Sequence, residues 1–282
     1  MRKRLKEKLA LPSGQLGQVY NSFDIIGDIA IVKTPPDSNV DMKIIAKQIM
    51  QVHKNVKTVF AQTSAVRGDF RVRELRLLAG EGNTNTTYKE SGCIFAVDVE
   101  KCYFSPRLSH ERARVASQVK AGEVVVNMFS GVGCFSVIIA KTVPQVQIYS
   151  IDVNPTAFEC MQKNVRINRV YGRVIPLLGD AKEIIQAKLQ GVADRVLMPL
   201  PEKALEYLPV AVSALKKGGG WIHYYDFQHV LGNEDPLEKT KSKIVQKLDH
   251  IGVRYTFAHS RVVRSTGPNW YQTVADINAL IG

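Results

Sequence analysis

The segment that most constrains the fold is Val124-Val-Val-Asn-Met-Phe-Ser-Gly-Val-Gly-Cys-Phe-Ser136, followed further along by Ile151-Asp-Val-Asn-Pro155. An apolar run that stops at a small-residue turn, resumes as a helix and leads to a second strand ending in a carboxylate is how a Rossmann-like sheet holds an adenosine-type ligand. The glycines let backbone approach the ligand. An acidic residue at the tip of the second strand can accept two hydrogen bonds from a ribose diol, which assigns that role to Asp152. From Glu123 onward, strand candidates at Val124 to Met128, Gln147 to Ile151, Arg173 to Leu178, Arg195 to Met198 and Gly220 to Tyr225 alternate with helical stretches. Such alternation implies an α/β domain with a parallel sheet covered on both faces.

The last third of the chain narrows the class. A helix is expected from Pro236 to near Ile251, then strands near Arg254 to Val263 and Tyr271 to Ile277 around a turn containing Gly267-Pro268. Two closing strands of this kind form the antiparallel end that separates methyltransferase sheets from dehydrogenase sheets. Upstream, Phe23 to Lys33 alternates and bends at Gly27 like a strand pair or a kinked strand, Pro35-Pro36-Asp-Ser marks a turn, and Val40 to His53 has helical periodicity. Val56 to Phe60, Arg73 to Leu78 and Ile94 to Val99 are further strand candidates, and Ser105-Pro106 should cap a helix running to Val119. The expected organisation is a basic N-terminal segment over residues 1–22, a small α+β domain over 23–100 that meets RNA or substrate, and a Rossmann-like domain over 101–282.

A net charge of +12 from 38 Lys plus Arg against 26 Asp plus Glu favours a polyanionic partner such as RNA, through release of its counterions. The basic start Met-Arg-Lys-Arg-Leu-Lys-Glu-Lys can serve as an arm near a phosphate backbone or as a solvated tail. The four cysteines, Cys93, Cys102, Cys134 and Cys160, have neither disulfide nor metal-type spacing, so no metal site is expected. They read as reduced cysteines of a cytoplasmic protein, in keeping with the lack of a long apolar run or a leader-like start.

The turn Phe129-Ser-Gly-Val-Gly133 is shorter than Gly-x-Gly-x-x-Gly, because position 136 is serine. The wider pattern adds Asp152-Val153 after the second strand, Gly179-Asp180-Ala181 after the third and Met198-Pro-Leu-Pro201 after the fourth, one candidate contact at each successive carboxyl end. S-adenosylmethionine is the cofactor this arrangement suggests. Asp152 would take the ribose hydroxyls and Asp180 the adenine amino group, with Val153 and Ala181 beside them. The turn around Phe129, Gly131 and Gly133 would face the methionine part. Both carboxylates have a plain alternative as helix caps.

The segments Arg71-Val-Arg-Glu-Leu-Arg-Leu-Leu-Ala-Gly80, Val99-Glu-Lys-Cys-Tyr-Phe-Ser-Pro-Arg-Leu-Ser-His-Glu-Arg-Ala-Arg114, Asn127-Met-Phe-Ser-Gly-Val-Gly133 and His223-Tyr-Tyr225 resemble the archaeal and eukaryal tRNA guanosine-37 N1-methyltransferase family. The resemblance covers residues 20 to 282. It implies Glu111 as general base, Arg71 as the arginine contacting guanine, Tyr103 as a substrate-positioning tyrosine and Arg107 near the cofactor carboxylate. The chemistry agrees. N1 of guanine carries a proton at neutral pH, so its methylation needs a base and a cation for the charge growing on O6. Read without the resemblance, Glu111 and Arg107 are four apart on one expected helix and could form an exposed ion pair, Arg71 and Arg73 could be edge-strand charges, and Tyr103 a half-buried core ring.

Three departures from the family pattern stand out. Pro199-Leu200-Pro201 occupies the substrate position where the family usually has Asn-Leu-Pro, which removes an amide side chain from the target base. Asn127 stands where aspartate is common, and the stretch before Phe23 is too short for the extra N-terminal domain of some relatives. The expected activity is methylation of guanosine 37 in the anticodon stem-loop of tRNA by a monomer. The alternatives are a wyosine-pathway enzyme acting on the same position, by carbon methylation or, less in keeping with Leu200-Pro201 and Glu111, by aminocarboxypropyl transfer, and a non-catalytic RNA-binding module.

Overall fold

The computed structural model describes residues 23–33, 41–66 and 68–282; the basic segment 1–22 and the Pro35-Pro36-Asp-Ser turn lie outside the described residues. The chain divides into two compact units after Arg107.

In the first unit, β1 (Phe23–Ile26) and β2 (Ile29–Lys33) form the strand pair foreseen around Gly27. Gly27 has φ +60, and a Cβ there would stand 2.4 Å from the Thr87 carbonyl oxygen, so both the turn and the close approach require glycine. Helix α1 (Met42–Val52) starts at Asp41, whose carboxylate accepts from the Lys43 N–H at 2.9 Å. Its apolar face, Met42, Ile45, Ala46 and Ile49, packs with Ala30 and Val32 of β2 and Val59 and Ala61 of β3 (Thr58–Gln62). With β4 (Leu75–Gly80) these make a sheet in the order β1-β2-β3-β4, whose β2 and β3 are parallel as a helical crossover requires.

A further hairpin joins β5 (Asn85–Glu90) to β6 (Cys93–Asp98) through Ser91-Gly92, both at positive φ, the backbone of a two-residue turn that matches strand twist. Strand β5 is absent from the sequence-based expectation. Its residues Asn-Thr-Thr-Tyr-Lys-Glu bury only Thr86, so no apolar alternation marks it.

The helix expected from Pro106 resolves into a 3-10 turn, Pro106–Leu108, at the boundary where the first unit ends, and an α-helix of the second unit, α2, that begins only at Ser109 and ends at Gln118. Leu108 occupies the cap position and offers no side-chain acceptor, so the chain tightens into i→i+3 bonds before the α-helix proper. Then follow β7 (Val124–Asn127), α3 (Cys134–Thr142), β8 (Gln147–Asp152), α4 (Pro155–Ile167), β9 (Val174–Leu178), the short α5 (Ala181–Ile184) with a π-helical turn after it, and β10 (Arg195–Met198). Helix α6 (Ala204–Ala214), β11 (Gly220–His229), α7 (Pro236–His250), β12 (Arg254–Gly267) and β13 (Trp270–Leu280) complete it.

The seven strands lie in the order β12-β13-β11-β10-β7-β8-β9. Neighbours from β11 to β9 are parallel, and β13 is antiparallel to both β11 and β12. Strand order reverses between β7 and β10, the switch point outside whose carboxyl edge ligands of such sheets bind. The main core, including Val126, Val196, Ile222, Tyr224 and Ile277, lies on one face beneath α6 and α7. The other face carries a buried register row, Ser150, Asn127, Leu197, His223 and Asp276, polar at every position but Leu197.

Candidate active site

The turn after β7 is fixed by its own backbone. Ser130 N–H donates to Ile151 O at 2.8 Å and Gly133 N–H to Ser130 O at 2.9 Å, while Asn164 from α4 donates to Val132 O at 2.9 Å. Gly131 and Gly133 have φ of 55 and 88, and a Cβ on Gly133 would stand 2.9 Å from Cγ of Met161. Gly131 N–H donates to Asp152 Oδ2 at 2.6 Å, and Asn154 N–H donates to Oδ1 at 3.0 Å. Each oxygen of Asp152 therefore keeps a lone pair for a ribose hydroxyl. Burial raises the Asp152 carboxyl above its ordinary value, against the two N–H bonds that favour its charge.

Two large apolar side chains stand exposed at the neighbouring strand ends, Val153 at 40% and Leu178 at 48%, where a flat purine would cover them. Asn127 is fully buried; its amide donates to Ser136 Oγ at 3.1 Å, and its Oδ1 has no hydrogen-bond partner among the described residues. A diol acceptor, a glycine turn without side chains, an apolar pair and a vacant buried acceptor fit the adenosine and amino-acid parts of S-adenosylmethionine.

Asp180 caps α5 through Lys182 N–H at 2.7 Å and accepts the Tyr207 hydroxyl at 2.5 Å, so the plain capping role is realised and an adenine contact must share this carboxylate. Tyr207 meets the edge of Phe129 at 5.2 Å between centroids, which ties that residue to the core. The Ala181 side chain is buried in the core, leaving its backbone for any ligand contact. Asp152→Ala is expected to weaken S-adenosylmethionine about 10- to 100-fold in calorimetry, the worth of a pair of charge-assisted hydrogen bonds. An affinity within about twofold of wild type removes Asp152 from the site.

Glu111, on α2, is 1% exposed and fully engaged. Its Oε1 accepts from Arg114 Nη2 at 2.7 Å and Tyr225 hydroxyl at 2.8 Å; Arg114 Nε lies 3.1 Å from both oxygens, and Arg261 donates two N–H groups to Oε2. Burial alone would push this carboxyl up, but the bonds and charge of Arg114, with Arg261 and Tyr225, outweigh it and hold Glu111 below its ordinary value. Behind it runs a chain of alternating charge. Arg114 forks onto Asp276 at 2.5 and 3.0 Å, Asp276 meets His223 Nδ1 at 2.7 Å, His223 Nε2 meets Arg195 Nη1 at 2.8 Å, and Arg195 meets Glu123 at 2.7 Å. A guanidinium can only donate, so His223 Nε2 is the acceptor, Nδ1 carries the proton toward Asp276, and the ring is neutral. Its lowered pKa agrees, burial being the largest cause.

This network takes the place of the plain alternative, an exposed ion pair between Glu111 and Arg107 along one helix. Arg107 belongs to the 3-10 turn and binds Asp24 at 2.7 Å, so contact with a cofactor carboxylate would require exchanging one carboxylate for another. In the first unit, the guanidinium of Arg71 lies over the Tyr103 ring, 4.0 Å from its centroid, which brings together two of the proposed substrate residues. Arg71 sits in a turn at φ 52, a left-handed conformation that costs a non-glycine residue about 1–2 kcal/mol, not on an edge strand. Its competitor Arg73 donates to Gln62 at 3.4 Å and has its pKa lowered, mainly by burial. After β10, Pro199 is half-buried while Leu200 and Pro201 are buried.

The sequence alone did not point to Arg114 and Arg261 as partners of Glu111, or to Asp276 as the partner of Arg114. A signal existed for one of them: Asp276 is the lone charge in the apolar run Val274 to Ile277, and a charge placed mid-strand is retained only with a buried partner.

A seven-stranded sheet with this order, an antiparallel β13 and a glycine turn facing an acidic second-strand tip defines a class I methyltransferase fold. The TRM5/TYW2 methyltransferase domain matches residues 86–253 and the TYW2 N-terminal domain residues 1–84. The chain belongs to the TRM5/TYW2 methyltransferase family. It is 41% identical over 256 residues to tRNA (guanine(37)-N(1))-methyltransferase Trm5b of Pyrococcus abyssi, covering 90% of this chain and 74% of that one. It is 38% identical over 263 residues to tRNA 4-demethylwyosine(37)-methyltransferase Taw21 of Saccharolobus solfataricus, covering 93% and 95%. The crystal structure of Trm5b from Pyrococcus abyssi superposes with a TM-score of 0.87 at 37% identity, over 100% of this chain and 82% of that one. Similar solved structures include a complex of aTrm5 with tRNALeu, TM-score 0.81 at 34% identity over 94% and 73% of the chains. Another is Methanocaldococcus jannaschii Trm5 in complex with adenosine, TM-score 0.78 at 33% identity over 94% and 76%.

Proposed function

We propose that this protein methylates N1 of guanosine 37 in tRNA, with S-adenosylmethionine as methyl donor. The observation that carries the reading is Glu111, a buried carboxylate set among two guanidiniums and a phenol in the methyltransferase unit of a chain 41% identical to a tRNA (guanine(37)-N(1))-methyltransferase. When bound, S-adenosylmethionine supplies an electrophilic methyl that leaves its sulfonium with no further activation. Asp152 and the turn around Phe129, Gly131 and Gly133 hold the donor, with Val153 against the purine and Asp180 and Ala181 at its far edge. Glu111 takes the proton from guanine N1 as that nitrogen bonds to the methyl carbon, and ends as the neutral acid. Arg71, flat on Tyr103, offers a preoriented fork for the charge growing on O6. Leu200 and Pro201 wall the base, and Pro199 contributes only its carbonyl to hydrogen bonding.

The same reading covers partners and place. The anticodon stem-loop of tRNA is the partner, the net charge of +12 supports binding to its phosphates, and a cytoplasmic monomer is the expected form. No helix among the described residues is long and apolar enough to cross a membrane.

One observation favours a second substrate: the chain is also 38% identical over 263 residues to the 4-demethylwyosine methyltransferase Taw21. Under that reading the acceptor is a carbon of a tricyclic base at position 37, and Pro199 suits a base that presents fewer polar groups. Transcripts of one tRNA carrying guanosine or adenosine at position 37 test the main reading. Methyl incorporation from labelled S-adenosylmethionine should require guanosine; equal incorporation into both would sink it.

A further inference from the structure

The two guanidiniums on Glu111 are unequal. Arg114 comes from the same helix and is held on its far side by Asp276, with 17% of its side chain exposed. Removing it would strand Asp276 and open the chain through His223 to Arg195. Arg261 comes from β12, at the edge of the sheet, just before one of that strand's register shifts, between Val262 and Arg264. Its side chain is 36% exposed, and its hydrogen bonds among the described residues all go to Glu111 Oε2. A carboxylate oxygen has two acceptor sites, and the two N–H groups of Arg261, with Arg114 Nε sharing the oxygen at 3.1 Å, leave Oε2 fully occupied. No site is then left there for the N–H of a guanine.

The charge balance points the same way. The groups on Glu111 are Arg114 from α2, Tyr225 from β11 and Arg261 from β12, and behind Arg114 stand Asp276 from β13 and the neutral His223 from β11. With Arg261 present, two cations face two carboxylates and the cluster is neutral. Without it the cluster carries one net negative charge, which a single proton would cancel. Departure of Arg261 therefore both frees Oε2 and raises its proton affinity.

We propose that Arg261 is a latch on the catalytic carboxylate: it holds Glu111 Oε2 in the free protein and swings to a phosphate of the bound RNA, uncovering the base only when substrate is present. The proposal rests on Glu111 being the base. The proton of N1 then passes to the vacated oxygen as the N1–methyl bond forms and the sulfonium–methyl bond breaks.

The test is Arg261→Met, with Arg261→Lys as the charge-preserving control, each checked for S-adenosylmethionine binding to show that the unit is folded. In the Met variant the single-turnover rate at saturating tRNA should stay within about threefold of wild type, while half-saturation rises about tenfold. The slope of log affinity against log salt should fall by about one, and Lys should restore it. The Glu111 carboxyl, followed by carbon-13 NMR in the free protein, should titrate at higher pH in the Met variant. A saturating rate reduced about tenfold or more with half-saturation unchanged would show that Arg261 acts from its place on Glu111 during the reaction, and overturns the latch. Half-saturation and salt slope both unchanged would make Arg261 merely structural, and overturn it equally. Glu111→Gln separates the two levels: full activity there removes the base itself, whereas an inactive Gln variant beside either overturning result removes only the latch.

Discussion

Replacing Glu111 by glutamine should lower the single-turnover rate of methyl transfer by about 10²-fold or more while leaving cofactor affinity near wild type. Glutamine keeps the shape and can still accept from Arg114 and Tyr225, but it cannot take the proton of N1. It also leaves Arg261 without its carboxylate and Arg114 with Asp276 alone, so some stability is lost as well. Calorimetric titration with S-adenosylmethionine distinguishes a folded, slow enzyme from an unfolded one, because the proposed cofactor residues Gly131 and Asp152 bond to each other and not to Glu111. An unchanged rate at saturating tRNA removes Glu111 from the base role.

Asp276→Ala is expected to cost about 3–5 kcal/mol of unfolding free energy, among the largest effects of any single substitution in this protein. Asp276 is 2% exposed and accepts from Arg114 and from His223 Nδ1, so its loss takes one of the two carboxylates from the Arg114 guanidinium, leaving it to Glu111 alone, and leaves the buried imidazole N–H without its acceptor. Urea unfolding measures it; a loss below about 1 kcal/mol would mean that the network is relaxed or wet.

The same groups fix the pH response. Hydrogen bonds from His223 and Arg114, with the charge of Arg114, outweigh burial and hold the Asp276 carboxyl well below its ordinary 3.8, and Glu111 lies below 4.5. A depressed carboxyl binds its proton less readily in the folded state, so its contribution is complete above the ordinary value and is lost as pH falls toward the folded one. His223 is lowered from 6.5 because it is buried, so the unfolded chain takes up a proton there first and stability already falls as pH drops below about 6.5. Unfolding midpoints should therefore decline from near neutrality downward, then more steeply below the carboxylate range. Asp276→Ala should flatten the steeper part.

Much of the larger unit was legible because its strands are short apolar runs separated by capped helices, and β10 falls at Arg195 to Met198 as the pattern suggests. The closing hairpin was foreseen in place but not in length: β12 and β13 run further, since their outer residues pair by backbone bonds that polar side chains such as Ser265 and Asn278 do not advertise. Strand β5 escaped for a related reason, being held by its ladder to β6 and by Thr86, whose hydroxyl donates to Asp28 at 2.6 Å, with almost no apolar signal of its own. At the site, the acidic tip of β8 and the glycine turn could be read because local chain geometry brings them together. The partners of Glu111 could not, since Arg261 and Asp276 lie 150 and 162 residues from Glu111 and Arg114 respectively, and only the register of β11, β12 and β13 carries them there. Helical spacing suggested Arg107 for Glu111, and the 3-10 turn redirected that residue to Asp24.

The most direct test of the central claim is the identity of the product. Purified protein, S-adenosylmethionine and an unmodified tRNA transcript carrying guanosine 37 are incubated, digested to nucleosides and analysed by mass spectrometry. The account predicts 1-methylguanosine, formed at position 37 and lost with Glu111→Gln. No 1-methylguanosine, with methylated product appearing only on tRNA that already carries a tricyclic base at that position, would contradict it.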